Sequence, residues 1–163
     1  MITSFNPALT TREFIGRAND IARRDAEVLD RCRALAPWGL VTAIDLGRCD
    51  PRSIRDAGQI ERLAIALCDV IQVRRLGDPI VVRFGDQSRL SGYSLAQRIE
   101  GALISGHFDE QSDRGYIDIF SHKPYPPYRA AEFCRGWFGA ATVRVSIMLR
   151  QAEKYSAGAI TYS

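Results

Sequence analysis

The sequence predicts an α/β fold: a two-layer sandwich in which an antiparallel sheet carries helices packed on one face. Three observations lead there. Apolar residues recur at helical spacing in three separate stretches, each bounded by capping or breaking residues. Short β-branched runs such as GLVTAIDL (39–46) and IVVRF (80–84) read as strands. Between Ser94 and Ser121 three such runs follow one another, and the polar segment Asp109–Arg114 supplies one of the reversals.

The elements follow in order. Thr10-Thr11-Arg12-Glu13 has the form of a capping box, and the helix it opens runs to about Leu35. Phe14, Ile15, Ala18, Ile21, Ala22, Leu29 and Cys32 share one side of that helix, and Trp38-Gly39 close it. Gly39 to Leu46 is a buried strand. Asp50-Pro51 marks a turn or a short helix start, and a second helix spans about Ile60 to Val73 with Ile60, Leu63, Ala64, Ala66, Leu67, Cys68 and Ile71 as its core stripe. Gly77-Asp78-Pro79 breaks the chain before the strand Ile80–Phe84, and Gly85, Asp86, Ser88 and Gly92 make a loop. Strands are expected at Ser94–Ile99, Leu103–Phe108 and Tyr116–Ser121. The connector Lys123-Pro124-Tyr125-Pro126-Pro127 leads into a helix from Tyr128 to Phe138, since proline suits a first helical turn. Ala141 to Leu149 is the last strand, and Trp38, Trp137 and Phe138 are read as packing residues.

Composition limits the function. A length of 163 residues suits one domain, and the apolar fraction of 46% is that of a globular chain. The net charge of +3, from 22 basic and 19 acidic residues, is too even for a nucleic-acid binder. Only Lys123 and Lys154 are available for Schiff-base chemistry, and neither lies in a cofactor motif. No apolar run is long enough to span a membrane, and residues 1–11 do not read as a secretory signal. Cys32, Cys49, Cys68 and Cys134 form no CxxC pair, and three fall on apolar helical faces. Reduced, buried thiols and a cytoplasmic location are therefore expected, not a zinc site.

Several motifs, in order along the chain, carry a resemblance. Ile117-Asp118-Ile119-Phe120-Ser121-His122 resembles an Ile-Asp-hydrophobic-Phe-Ser/Thr-Cys strand end, and Ser105-Gly106-His107-Phe108 resembles a strand bearing a histidine. Gly92-Tyr93-Ser94 resembles a Gly-x-Ser segment. The runs from Ile44 to Pro51, Phe84 to Asp86 and Ala131 to Ala140 complete the likeness, which spans about Gly39 to Ile147. Together they resemble the S-adenosylmethionine decarboxylases of bacteria. The resemblance divides the chain into an N-terminal helical extension (1–38), a decarboxylase-like domain (39–150) and a tail (151–163).

The resemblance implies a two-layer α/β protomer that dimerises, with its site at or near the protomer interface and a small-molecule substrate, S-adenosylmethionine or a related amino acid. No nucleic acid or membrane partner is implied. Members of this family cut their backbone just before a serine and turn that serine into a pyruvoyl group, whose ketone binds the substrate amine and takes up the electrons left by departing carbon dioxide. In this chain that position falls on Ala102, which has no hydroxyl, so no pyruvoyl cofactor can form there. His107 matches the processing histidine and Ser94 the second serine near it. His122 takes the place of the catalytic cysteine, and imidazole also donates protons near neutral pH.

Other candidates are weighed beside these. On a strand, Asp118, Phe120 and His122 share one face, as do Ser105, His107 and Asp109. If the two strands are neighbours, a pocket with two imidazoles, two carboxylates and a serine hydroxyl follows. His107, Asp109 and His122 could also hold a metal, the less favoured reading because the family needs none. Glu110 lies one residue from the family's ribose-binding carboxylate and is equally an exposed turn residue. Phe84 or Tyr93 could stack on an adenine, though an aromatic beside a strand is more often core.

Ser105 or Ser94 could take over self-cleavage only by an unusual route, because Ser105 lies on the other strand face from position 102. Three functions follow: non-decarboxylating cleavage or cyclisation of S-adenosylmethionine with release of methylthioadenosine, a catalytically inactive regulatory paralogue, and a decarboxylase of S-adenosylmethionine, arginine or ornithine processed at another serine.

Overall fold

Burial alternates along every central strand and decides which way the sheet faces. The computed structural model describes residues 11–85 and 90–152. Its elements are α1 (Thr11–Leu35), β1 (Gly39–Gly47), α2 (Pro51–Ile54), α3 (Ala57–Val70), β2 (Ile80–Phe84), β3 (Gly92–Ile99), β4 (Ala102–Asp109), β5 (Arg114–Ser121), α4 (Pro127–Trp137) and β6 (Thr142–Arg150). The strands form one six-stranded sheet in the order β2-β3-β4-β5-β1-β6, with every neighbouring pair antiparallel. The α/β sandwich read from the sequence is the fold observed.

Leu40, Thr42, Ile44 and Leu46 of β1 are buried, as are Ile117, Ile119 and Ser121 of β5 and Ile104 and Phe108 of β4. These side chains share the sheet face covered by α3 and α4, which contribute Ile60, Leu63, Leu67, Ala130, Ala131 and Cys134. Each fully buried Leu or Ile stabilises this layer by about 1.5–3 kcal/mol relative to exposure. The opposite face is bare: Ile80, Val82, Leu103 and Met148 are 56%, 55%, 40% and 56% exposed. All four cysteines are buried and free, and burial holds the Cys49 and Cys68 thiols up at about 11. No described helix is long and apolar enough to cross a membrane.

Several expectations need correction. The second helix opens at Ala57, because Asp56 accepts hydrogen bonds from Gly58 N and Gln59 N, and it ends at Val70, with Gln72 in the left-handed region. Trp38 is 65% exposed and is not a core residue, although its ring lies 5.6 Å from that of Phe120. In α1, Ile15 is 54% exposed and Ala18 and Ala22 are also exposed. The helix packs on α4 rather than on the sheet, so its buried stripe is narrower than its apolar one. Thr10 of the expected capping box and the side chain of Phe14 lie outside the described residues, as do Asp86, Ser88 and Lys154.

The contact that seats α1 was not among the expectations. Helix α4 begins at Pro126-Pro127 and has no side-chain cap of its own. Asp25, only 6% exposed, fills that role from α1, accepting from Tyr128 N at 2.7 Å and Arg129 N at 3.1 Å. Arg17 reaches Glu132 at 2.8 Å farther along the same pair of helices. Burial pushes the Asp25 carboxyl above its ordinary value, against the two amides that lower it. With the folded value raised, ionised Asp25 lowers stability as pH climbs past the ordinary carboxylate range.

Asp25→Ala leaves two helix-end amides unpaired and is expected to cost about 1–2 kcal/mol in urea unfolding at pH 7. Asp25→Asn keeps one of the two acceptor oxygens and removes the buried charge, so it is expected to lose less than Asp25→Ala, about 0.5–1 kcal/mol. Equal losses for both variants would contradict the capping role.

Candidate active site

Strand β4 is the axis of the candidate site, paired with β3 on one side and β5 on the other. Its register is pinned by Ile104 and Phe108 in the core, which forces Leu103, Ser105, His107 and Asp109 onto the bare face. Across from it on β5, Asp118 pairs with Ser105 and Tyr116 with His107. On β3, Ser94 pairs with His107 and Ala96 with Ser105. The strands bearing His107 and Asp118 are thus neighbours, as the proposed pocket required.

One polar cluster sits at the far end of β4. Ser94 Oγ and His107 Nδ1 share a hydrogen bond of 3.1 Å. The Phe84 ring meets the same imidazole edge-on, with centroids 6.3 Å apart. Asp109 closes the following turn, accepting from Gln111 N at 3.0 Å and from the Ser112 hydroxyl, which holds its carboxyl below the ordinary value. Glu110 is drawn into a bidentate pair with Arg83, both contacts 2.8 Å. Tyr93 lies under the same guanidinium, with Arg83 Cζ 5.4 Å from its ring centroid. Tyr93 faces the helix layer opposite Phe108, while Phe84, opposite Gly92, faces the bare side.

A second cluster sits at the near end, around the β3–β4 turn Glu100-Gly101. Gly101 has φ +69°, and a Cβ there would lie 2.0 Å from His122 Cε1. The glycine therefore serves both a left-handed turn and the close approach of the imidazole. His122 Nδ1 donates to Gly101 O at 2.9 Å. A carbonyl can only accept, so the proton is on Nδ1 and, in the neutral ring, Nε2 is left with its lone pair.

Arg74 clamps the turn with two contacts to Glu100, 3.0 and 3.2 Å, and accepts the Glu100 amide on its carbonyl at 2.9 Å. These bonds hold the Glu100 carboxyl below its ordinary value of 4.5. A lowered carboxylate lends its support above that value and loses it as pH falls, so the clamp loosens in acid. No sequence signal pointed to Arg74, which lies 26 residues from its partner.

Ala102 follows this turn directly. Its methyl group packs against the core on the helix side, opposite Ser121, which is fully buried. Ser105, three residues on, projects from the other face. The two imidazoles do not share one pocket within a protomer. His122 lies beside Gly101, about six residues of strand from His107, on the order of 20 Å at 3.3 Å per residue. Among the described residues no three His, Cys, Asp or Glu side chains converge as metal ligands do. His107, Asp109 and His122 thus do not form a metal set within one protomer.

A sequence profile described as S-adenosylmethionine decarboxylase matches residues 41–151, which is 111 of the 163 residues. The chain belongs to the S-adenosylmethionine decarboxylase family. No curated protein sequence matches it. In fold it is similar to the crystal structure of the adenosylmethionine decarboxylase from Aquifex aeolicus VF5, with a TM-score of 0.61 and 15% sequence identity. That match covers 76% of this chain and 98% of the other. Helix α1 precedes the part matched by the decarboxylase family profile.

Gly101→Ala is expected to destabilise the protein by about 1–3 kcal/mol, since alanine is strained at this φ. It also displaces the His122 ring. The 15N spectrum of neutral His122 should show the Nδ1–H tautomer in the unaltered protein and lose that signature in the variant. An Nε2–H tautomer in the unaltered protein would contradict the hydrogen bond to Gly101.

Proposed function

We propose that this member of the S-adenosylmethionine decarboxylase family binds S-adenosylmethionine and cleaves or cyclises it, releasing methylthioadenosine, without decarboxylation and without a pyruvoyl group. The observation that carries this reading is Ala102. It stands where the family resemblance puts the processing serine, and a methyl group can neither attack the Gly101 carbonyl nor become a ketone. The residues at that position do not fit the cofactor, so no step runs through it.

The chemistry left to the site suits a sulfonium substrate. Its positive sulfur is already a leaving group. When the substrate's own carboxylate oxygen attacks the γ-carbon, a C–O bond forms, the C–S bond breaks, and the sulfur keeps the electron pair as neutral methylthioadenosine. Holding the chain folded for that attack supplies most of the barrier lowering. Asp118, between Tyr116 and Phe120 on the bare face of β5, offers a carboxylate and aromatic faces to a cation. Where an amine or a carbon acts as the nucleophile instead, His122 Nε2 or Asp118 takes its proton. His107 with Ser94, and Phe84 beside them, would bind the rest of the substrate.

We further propose that the working unit is a homodimer closed through the bare sheet faces. Two features support it. That face exposes Ile80, Val82 and Leu103, and the two histidine clusters lie at opposite ends of β4. A twofold axis lying between facing sheets and crossing β4 at its middle would bring His107 of one protomer toward His122 of the other. Each site then draws on both copies.

Incubation with S-adenosylmethionine should release methylthioadenosine, read by chromatography. His122→Ala and Asp118→Asn should each slow it by at least about 10-fold. Leu103→Glu, a charge in the middle of the bare face, should lower the oligomer mass and the turnover together. No methylthioadenosine above the uncatalysed background would end the enzymatic reading. Thermal stabilisation by S-adenosylmethionine without turnover would indicate a regulatory paralogue.

A further inference from the structure

The sheet ends on two unlike edges. Strand β2 has five residues between Pro79 and Gly85, a short, proline-flanked edge of the kind that discourages further pairing. Strand β6 has nine residues without proline or glycine, in unbroken register with β1 from Gly39–Arg150 to Gly47–Thr142. Among the described residues, no strand pairs with its outer side. Val143, Val145, Ile147 and Leu149 point to the helix side, where α4 packs on the strand, yet they are only half covered. The edge carries Arg144 and Arg150 on its bare face but no proline or glycine to interrupt it, and a long edge with a half-covered apolar row is unusual unless something pairs with it.

We propose that β6 pairs antiparallel with β6 of a second copy, about a twofold axis passing through Ser146. Keeping both helix layers on the same side requires residues of equal parity to face each other. Among such registers, the one centred on Ser146 pairs all nine residues. It sets Val143 opposite Leu149 and Val145 opposite Ile147, so each copy completes the apolar row of the other. On the bare face it sets Arg144 opposite Met148 and Thr142 opposite Arg150, so no arginine faces an arginine. Moving the centre to Ile147 would oppose Arg144 and Arg150, a destabilising pairing of like charges. The product is one continuous sheet running through both copies. This contact is separate from the bare-face dimer, since β4 and β6 are three strands apart.

Two variants test the pairing on the full chain. Ser146→Cys places two thiols across the axis, while the four native cysteines are buried. Mild oxidation should give a species of twice the chain mass on a non-reducing gel, reversed by reductant. It should form equally in a Leu103→Glu background, which separates this edge from the bare-face dimer. Ser146→Lys places two like charges at the axis. It should halve the assembly mass by light scattering at equal concentration, with the melting temperature of the dissociated chain read alongside to show that it stays folded. No cross-link together with an unchanged mass for Ser146→Lys would overturn the proposal. So would β6 amides whose protection from exchange does not vary with protein concentration, which would assign the edge to residues 151–163 of the same chain.

Discussion

Everything at the candidate site depends on the two-residue alternation of β4. Ile104 and Phe108 are fully buried against the helix layer, and moving the strand by one residue would exchange them for Leu103, His107 and Asp109. The core therefore fixes which side chains reach the bare face, and it does so with far more free energy than any polar contact there. Ala102 stays on the core side while Ser105 and His107 project outward. This is why a serine three residues away is not a substitute for a serine at position 102: it cannot approach the Gly101 carbonyl from the same side without undoing the packing.

Two polar contacts adapt the framework to this chain. Asp25 supplies the cap that α4 lacks, so the N-terminal helix is tied to the domain by hydrogen bonds to a helix end rather than by a broad apolar seam. Arg74 does the corresponding work at the β3–β4 turn, holding Glu100 by side chain and backbone at once. The turn it steadies presents the Gly101 carbonyl to His122. The His122 ring is thus kept in place by a glycine, an ion pair and one hydrogen bond, all outside the core.

The sequence made the sheet legible because its strands are short, apolar and punctuated. Ile80–Phe84 is found at the expected residues, between Pro79 and Gly85. The family motifs also placed Ser94 and His107 together, since Gly-x-Ser and the histidine strand sit opposite each other in a hairpin whose register the core enforces. Other features were not legible. Apolar spacing in α1 suggested a wide buried stripe, yet a helix that packs mainly on another helix buries little of it, and one of its buried side chains is the aspartate that caps α4. Glu110 and Tyr93 were candidates for substrate contact, and both are engaged by Arg83, a pairing that strand register determines and spacing does not reveal. The two histidines are expected in one pocket from alternation alone, but alternation gives the face and not the distance along the strand.

Family membership is shown, and the alanine that the resemblance puts where the backbone would be cut leads us to propose a decarboxylase scaffold without its electrophile. The most direct test is the intact mass of freshly purified protein under denaturing conditions. One species near 18.2 kDa, the whole chain, is the expected result. Two fragments, the C-terminal one beginning with a pyruvoyl group, would contradict it, and their masses would identify the serine that had taken over the cut.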